Sequence, residues 1–284
     1  MAITISVCNH KGGVGKTTTV INLAAALAEF GKRVLVVDLD PQGNSTMVLF
    51  PGDPYNAKTA IDLFKDEKSM FDNVSQPSRV KNVSIIPTNL DMMHIKGELS
   101  TGMRSVVALR NKFGESAQRD FDYILLDCPP DLGAFMNNAL VISNYYLVPV
   151  AAEDKFGLKG LTDIFKMADD IRATTLNPNL KLLGILITLF DSRTNNSKRM
   201  EELLRKQLPD KLLKTTINRN TDLSQANTKD KTVFQHDRRA QGAQDYLSLA
   251  TEVIERVEEK RVEGAGRVDQ GTGVNAQPAQ PAAV

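Results

Sequence analysis

Lys11-Gly12-Gly13-Val14-Gly15-Lys16-Thr17-Thr18 lies between an apolar run (Ile3, Ile5, Val7) and a helix-forming stretch at residues 20–28. That placement constrains the chain more than any other feature. A strand, a glycine turn and then a helix put bare backbone N–H groups and a helix N-terminus around one point in space, which is how proteins cradle a phosphate. The glycines let the backbone curl without Cβ clashes. Lys16 is placed to reach terminal phosphates, and the Thr17 hydroxyl to hold a magnesium ion. The loop departs from the spacing G-x-x-x-x-G-K-[ST]. Position 10 is His10 rather than glycine, and a second lysine, Lys11, stands at the start of the loop.

Two other apolar runs end in acidic residues. Residues 33–38 lead into Asp38-Leu39-Asp40-Pro41-Gln42-Gly43-Asn44, and Tyr123-Ile124-Leu125-Leu126 leads into Asp127-Cys128-Pro129-Pro130. Taken alone, the first is an Asp-Pro turn that ends a strand, and the second is a weak pattern. Behind a phosphate loop, a lone aspartate at a strand end is placed to support magnesium.

The K-G-G-V-G-K-T-T run resembles the deviant Walker A motif of the ParA/Soj/MinD family of ATPases, whose relatives include the nitrogenase iron protein. The resemblance implies ATP and Mg2+ as cofactors, with Lys11, Gly12, Gly13, Val14, Gly15, Lys16, Thr17 and Thr18 holding the nucleotide. It implies an ATP-dependent homodimer in which Lys11 reaches the partner's nucleotide, because cationic clamps offset the charge on a transferring phosphoryl group. D-x-D-P-Q-G-N is similar to the family's switch I. By that likeness Asp40 orients the attacking water beside the metal, with Asp38 in support. Residues 127–133 resemble switch II, with Asp127 a magnesium-supporting group. Catalytic roles thus fall to Lys11, Lys16 and Asp40, and metal-binding roles to Thr17, Asp127 and Asp40.

With 284 residues, 42% of them hydrophobic, the chain can bury a substantial core. Apolar patterns predict strands at 3–8, 33–38, 83–86, 123–127, 145–150 and 182–189. They predict helices at 17–30, 132–142, 158–173, 198–207 and 241–260. This alternation gives an α/β fold, a P-loop NTPase with a mostly parallel twisted sheet covered by helices on both faces. The resemblance covers residues 2 to about 258, so residues 1–261 are read as one ATPase domain. Residues 262–284 have almost no bulky apolar side chains and are read as a disordered polar tail.

No run of 18 apolar residues and no signal peptide appears, which predicts a cytoplasmic protein. Cys8 and Cys128 are expected to be reduced core residues rather than a bridge or cluster ligands. A MinD-like membrane helix is disfavoured by Glu252, Glu255, Glu258 and Glu259 near the C-terminus. Because the ATPase motifs begin at residue 2, an N-terminal helix-turn-helix repressor domain is not expected.

The net charge is only +1, but residues 193–239 hold twelve basic against six acidic residues. Such a patch can track phosphates without reading sequence. The family's D-x-R-T-N stretch, whose arginine contributes to nonspecific DNA binding, is matched by residues 191–195. The family's I-P-R-N-x-R-L run is matched less well, since residue 218 is Asn218 and residue 222 is Asp222. A carboxylate at 222 repels phosphate, so the DNA candidates are Arg193, Lys198, Arg199, Lys211 and Arg219. In relatives this stretch lines the adenine pocket, which makes Asn218 and Asn220 candidate base contacts.

The reading is therefore a slow, nucleoid-associated ATPase that dimerises with ATP, binds DNA nonspecifically and positions a cargo, stimulated by a ParB-like or other adaptor. Two alternatives stand beside it: a MinD-like membrane-cycling ATPase, and a nucleotide-gated positioning adaptor that does not bind DNA. A small-molecule ligase on the same fold explains Lys11 and switch I less well.

Overall fold

The computed structural model describes residues 1–99, 106–113, 115–153 and 157–268. The chain runs β1 (Ile3–Val7), α1 (Lys16–Glu29), β2 (Val34–Asp38), α2 (Asn44–Leu49), α3 (Ala60–Lys65), α4 (Phe71–Val74), β3 (Gln76–Pro77), β4 (Val83–Ile86), α5 (Met92–Leu99), α6 (Glu115–Asp120) and β5 (Tyr123–Asp127). It continues α7 (Ala134–Ile142), β6 (Tyr145–Ala151), α8 (Gly157–Ala173), β7 (Lys181–Phe190), α9 (Asn195–Gln207), β8 (Leu212–Asn218), α10 (Thr221–Thr228), α11 (Val233–His236) and α12 (Gln241–Val268).

The eight strands form one sheet in the order β3-β4-β2-β5-β1-β6-β7-β8, parallel throughout except for the short edge pair β3–β4. β2 and β5 are apolar up to their final aspartates because both of their faces are covered, while the equally buried β1 carries Thr4 and Ser6 between its apolar residues. In β2, Val34 and Val36 enter one core with Val20, Leu23 and Leu27 of α1 and Tyr246, Leu249 and Val253 of α12. Leu35 and Val37 enter the opposite core with Phe135, Met136 and Leu140 of α7 and Ile164 and Ala168 of α8. β5 alternates the same way: Tyr123 and Leu125 face α1, and Ile124 and Leu126 face α7. Fully burying one such aliphatic side chain contributes roughly 1.5–3 kcal/mol, so the two layered cores carry the fold.

The predicted strands at 83–86 and 123–127 match the structure at both ends, and the others shift by a residue or so. β8 escapes the sequence reading because Lys214, Thr215 and Thr216 interrupt its apolar residues; its run of three β-branched side chains, Thr215, Thr216 and Ile217, was the available signal. The short helices α2, α3, α4, α5, α6, α10 and α11 were also not predicted. α12 runs to Val268, past the start of the segment read as tail, while residues 269–284 lie outside the described residues. α12 is fastened to the sheet edge by Arg256, whose guanidinium donates to the carbonyls of Leu183 (3.2 Å) and Leu212 (2.8 Å) and to Glu252 (3.0 Å). Cys8 and Cys128 are buried free thiols, with burial pushing Cys8 up to about 12 and Cys128 well above its ordinary value. No helix among the described residues is long and apolar enough to cross a membrane.

Candidate functional site

The register of the sheet brings the three motifs to one edge. Val7 of β1 pairs with Asp127 of β5, and Asp127 pairs with Asp38 of β2, so the chain leaves all three strands at the same end. In parallel sheets ligands bind beyond the carboxyl ends of the strands.

The loop after β1 is held open by its neighbours. Asn9 donates to the Pro149 carbonyl (2.8 Å) and accepts the Lys11 N–H (3.1 Å). Thr188 of β7 donates to the Val14 carbonyl (2.8 Å). Gly13 and Gly15 have φ of 73° and 82°, the left-handed region where glycine is strain-free. Gly15 is also the N-cap of α1 and gives that helix no side-chain cap, so the first N–H groups of a 14-residue helix are offered to an anion. Lys16 is buried, and its Nζ donates back across the loop to the Lys11 carbonyl at 2.8 Å. Burial lowers the pKa of the Lys16 ammonium, while Asp127, foremost among its charged neighbours, acts to raise it. Lys11 lies against α8: a Cβ added at Gly160 would sit 3.5 Å from Lys11 Cε and 2.9 Å from His10 Cε1.

Asp127 is fully buried, and its two oxygens differ. Oδ2 accepts the Ser45 hydroxyl at 2.7 Å, whereas Oδ1 has no hydrogen-bond partner. Burial pushes this carboxyl up to about 6, while the hydroxyls of Ser45 and Thr17 pull it down. An orphaned buried carboxylate oxygen beside a threonine hydroxyl and a phosphate cradle fits a hard cation that keeps most of its ligands as phosphate and water. Among the described residues no cluster of three or more His, Cys, Asp or Glu forms a self-sufficient metal cage.

Asp38 has a different job. Its Oδ2 accepts from the Thr46 N–H (2.8 Å) and hydroxyl (2.7 Å), and its Oδ1 from the Asp40 N–H (3.2 Å). Burial, then the charge of Asp127, raises its pKa well above the ordinary carboxylate value. Asp38 thus builds the turn that presents Asp40, whose Oδ1 accepts the Gln42 N–H at 3.0 Å. Asp40 is 8% exposed and acts electrostatically on both Lys16 and Asp127, so switch I and the phosphate loop are neighbours in space. Sequence reasoning missed Ser45 and Thr46. The signal was two hydroxyls following Gly43-Asn44, at the start of a helix that the acidic turn feeds.

Asn218 and Asn220 line a cavity of about 120 Å³ beside the phosphate loop, together with Gly15, Thr18, Leu189 and Leu223. The DNA candidates lie elsewhere. Lys198 and Arg199 are exposed on α9, and Lys211 Nζ stands 4.7 Å from the Phe165 ring centre. Arg193 is 86% exposed but paired with Asp191 at 2.8 Å, and it holds that carboxyl down at about 2. Arg219 pairs with Glu153 at 2.7 Å. The basic segment is therefore less positive at Arg193 and Arg219 than its sequence implies.

A family model described as an AAA domain matches residues 2–182. The chain is 40% identical over 256 residues to the chromosome-partitioning ATPase Soj of Thermus thermophilus, covering 90% of this chain and 96% of that one. It is 38% identical over 249 residues to the sporulation initiation inhibitor protein Soj of Bacillus subtilis, covering 88% and 97%. Among solved structures, cobyrinic acid a,c-diamide synthase from Mycobacterium smegmatis with bound ADP and magnesium superposes with a TM-score of 0.74 at 30% identity, over 91% of this chain and 96% of that one.

Proposed function

The chain belongs to the ParA/Soj family of partition ATPases, and from that premise we propose that it is an ATP-dependent dimerisation switch that positions a cargo along DNA. ATP and Mg2+ are its cofactors. Bound, they supply the phosphoryl group and the charge that offsets it. The chain does the rest: loop N–H groups and Lys16 take the β/γ-phosphates, and Thr17 and Asp127 support the metal. Asp40 orients the attacking water, and Lys11 neutralises charge across the subunit interface. The observation that carries this reading is the pair of lysines on one glycine loop. Lys16 is turned inward onto the Lys11 carbonyl, while Lys11 is placed at the loop's outer end against α8. In this reading Lys16 serves the chain's own nucleotide and Lys11 serves the partner's.

In this reading the ATP-bound dimer rides the nucleoid through Lys198, Arg199 and Lys211, with Arg193 and Arg219 released from Asp191 and Glu153 when phosphate competes for them. A ParB-like or other adaptor stimulates hydrolysis and release in the cytoplasm. Nonspecific duplex binding by the Asp40→Ala chain, with Mg-ATP against Mg-ADP over a salt series, tests this. Binding with ATP only, falling linearly in log–log with salt, supports DNA as the track. No binding at low salt by a verified dimer removes it. The ion pairs Arg193–Asp191 and Arg219–Glu153 favour a second reading, a positioning adaptor that works through protein contacts without DNA.

A further inference from the structure

Switch I rests on the end of β4 as well as on its own strand. Val37 of β2 pairs with Ile86 of β4, so the chain leaves the two strands side by side, one into Asp38-Leu39-Asp40 and the other into Pro87-Thr88. Gly43, with φ of 63°, brings the turn so close to β4 that an added Cβ would lie 3.6 Å from the Thr88 carbonyl oxygen. Between the two segments lies Thr46, buried in the first turn of α2. Its hydroxyl accepts the Thr88 N–H at 2.9 Å and donates to Asp38 Oδ2 at 2.7 Å.

The ends of this series fix its direction. A backbone N–H only donates and an ionised carboxylate only accepts, so the hydroxyl proton of Thr46 belongs to Asp38. The Thr46 N–H reaches the same oxygen at 2.8 Å, and the Asp40 N–H reaches Oδ1 at 3.2 Å. Thr46 thus supplies two of the three hydrogen bonds that hold the Asp38 carboxylate, and the third holds the backbone of Asp40. Asp40 Oδ1 in turn accepts the Gln42 N–H at 3.0 Å.

We propose that Thr46 is a positioning residue for hydrolysis: anchored by the end of β4, it locks Asp38 and so sets the aim of the Asp40 carboxylate, a role that rests on Asp40 orienting the attacking water. Thr46 acts through Asp38 rather than on the reacting atoms. Its neighbour Ser45 gives its hydroxyl to Asp127 instead. Two successive hydroxyls of α2 therefore divide the work, one serving the carboxylate placed for the metal and the other the carboxylate placed for water. Geometry of this kind matters because a displacement of about 1 Å costs on the order of 100-fold in rate.

Thr46→Val keeps the shape of the side chain and its N–H bond to Asp38 while removing the hydroxyl, and two measurements on the full chain read the result. Amide hydrogen exchange without nucleotide reports the turn itself. The Asp40 and Gln42 amides should exchange about tenfold or more faster, whereas Leu125 in β5 should change no more than any global loss of stability requires. Single-turnover hydrolysis of Mg-ATP should slow by about tenfold or more, with ATP affinity and its gain on adding Mg2+ both within about threefold of wild type. Thr46→Ser returns the hydroxyl and should recover exchange and turnover together. If Thr46→Val does not fold, Thr46→Cys, which fills similar space with a weak donor, takes its place. Unchanged exchange at Asp40 and Gln42, or a slow step that Thr46→Ser does not recover, would overturn the proposal. Faster exchange with wild-type turnover would overturn the role given to Asp40 and leave the hydrogen-bond series standing.

Discussion

Ser45 and Asp127, 82 residues apart in the chain, share a buried 2.7 Å hydrogen bond that joins the first turn of α2 to the end of β5. The bond occupies one carboxylate oxygen and leaves the other, Oδ1, as the orphan at the phosphate loop. At the other end of α2, the Arg79 side chain donates to the carbonyls of Met47 (2.6 Å) and Val48 (3.1 Å). The helix after Asp40 is thus a strut between the buried Asp127 carboxylate and a surface hairpin.

Removing that hydroxyl should weaken the response to magnesium more than the response to nucleotide. Ser45→Ala is expected to bind ATP without Mg2+ as the wild type does. Its gain in affinity on adding Mg2+ should fall several-fold, and it should lose about 1–3 kcal/mol of stability from the unsatisfied carboxylate oxygen. Ser45→Thr restores the donor and should recover the gain. Titrating Mg2+ at fixed nucleotide for the three proteins checks this; a full magnesium response in Ser45→Ala contradicts it.

Lys16→Ala should lower nucleotide affinity by about 100-fold or more, because a buried charge-assisted contact to phosphate disappears. Calorimetric titration with a non-hydrolysable ATP analogue reads it directly. Affinity within a few-fold of wild type would remove Lys16 from the phosphates.

Asp40→Ala should bind ATP with near wild-type affinity and turn it over at least about 100-fold more slowly, as expected when a water-orienting group is lost. Single-turnover phosphate release separates the two effects. Normal turnover would refute the role given to Asp40.

Much of this was legible in the residues because backbone chemistry dictates it. The glycines at 13 and 15 read as a cradle and have positive φ, and the aspartate ending residues 123–127 lies at the end of β5 beside that cradle. What was not legible depends on partners distant in sequence. Ser45 meets Asp127 only because β2 and β5 are neighbours in the sheet, and Asp245 meets Asn218 only because α12 packs on β8. The basic count over residues 193–239 was correct as a count, yet Asp191 and Glu153 engage two of the five DNA candidates. Glu153 lies outside the counted segment, so its pairing with Arg219 could not be read from it.

Glu252 gives a pH dependence with a definite sign. Burial acts to raise its carboxyl, but the N–H groups of Lys214 and Thr215 (2.8 Å each) and Arg256 hold it below the ordinary value of 4.5. A depressed folded pKa means that its stabilisation is complete above the unfolded value and is lost as pH falls through the folded one. The difference in urea stability between wild type and Glu252→Gln should be largest near about pH 7 and shrink below about pH 4. A difference that grows with acid would reverse the assignment.

The role of Lys11 across a subunit interface is the centre of the account, and sedimentation velocity tests it most directly. Asp40→Ala, unable to consume its nucleotide, should sediment as a dimer with Mg-ATP and as a monomer with Mg-ADP. Lys11→Ala in the same background should bind ATP and remain a monomer. An ATP-dependent dimer that survives loss of Lys11, or a wild-type loop that never dimerises with ATP, would contradict it.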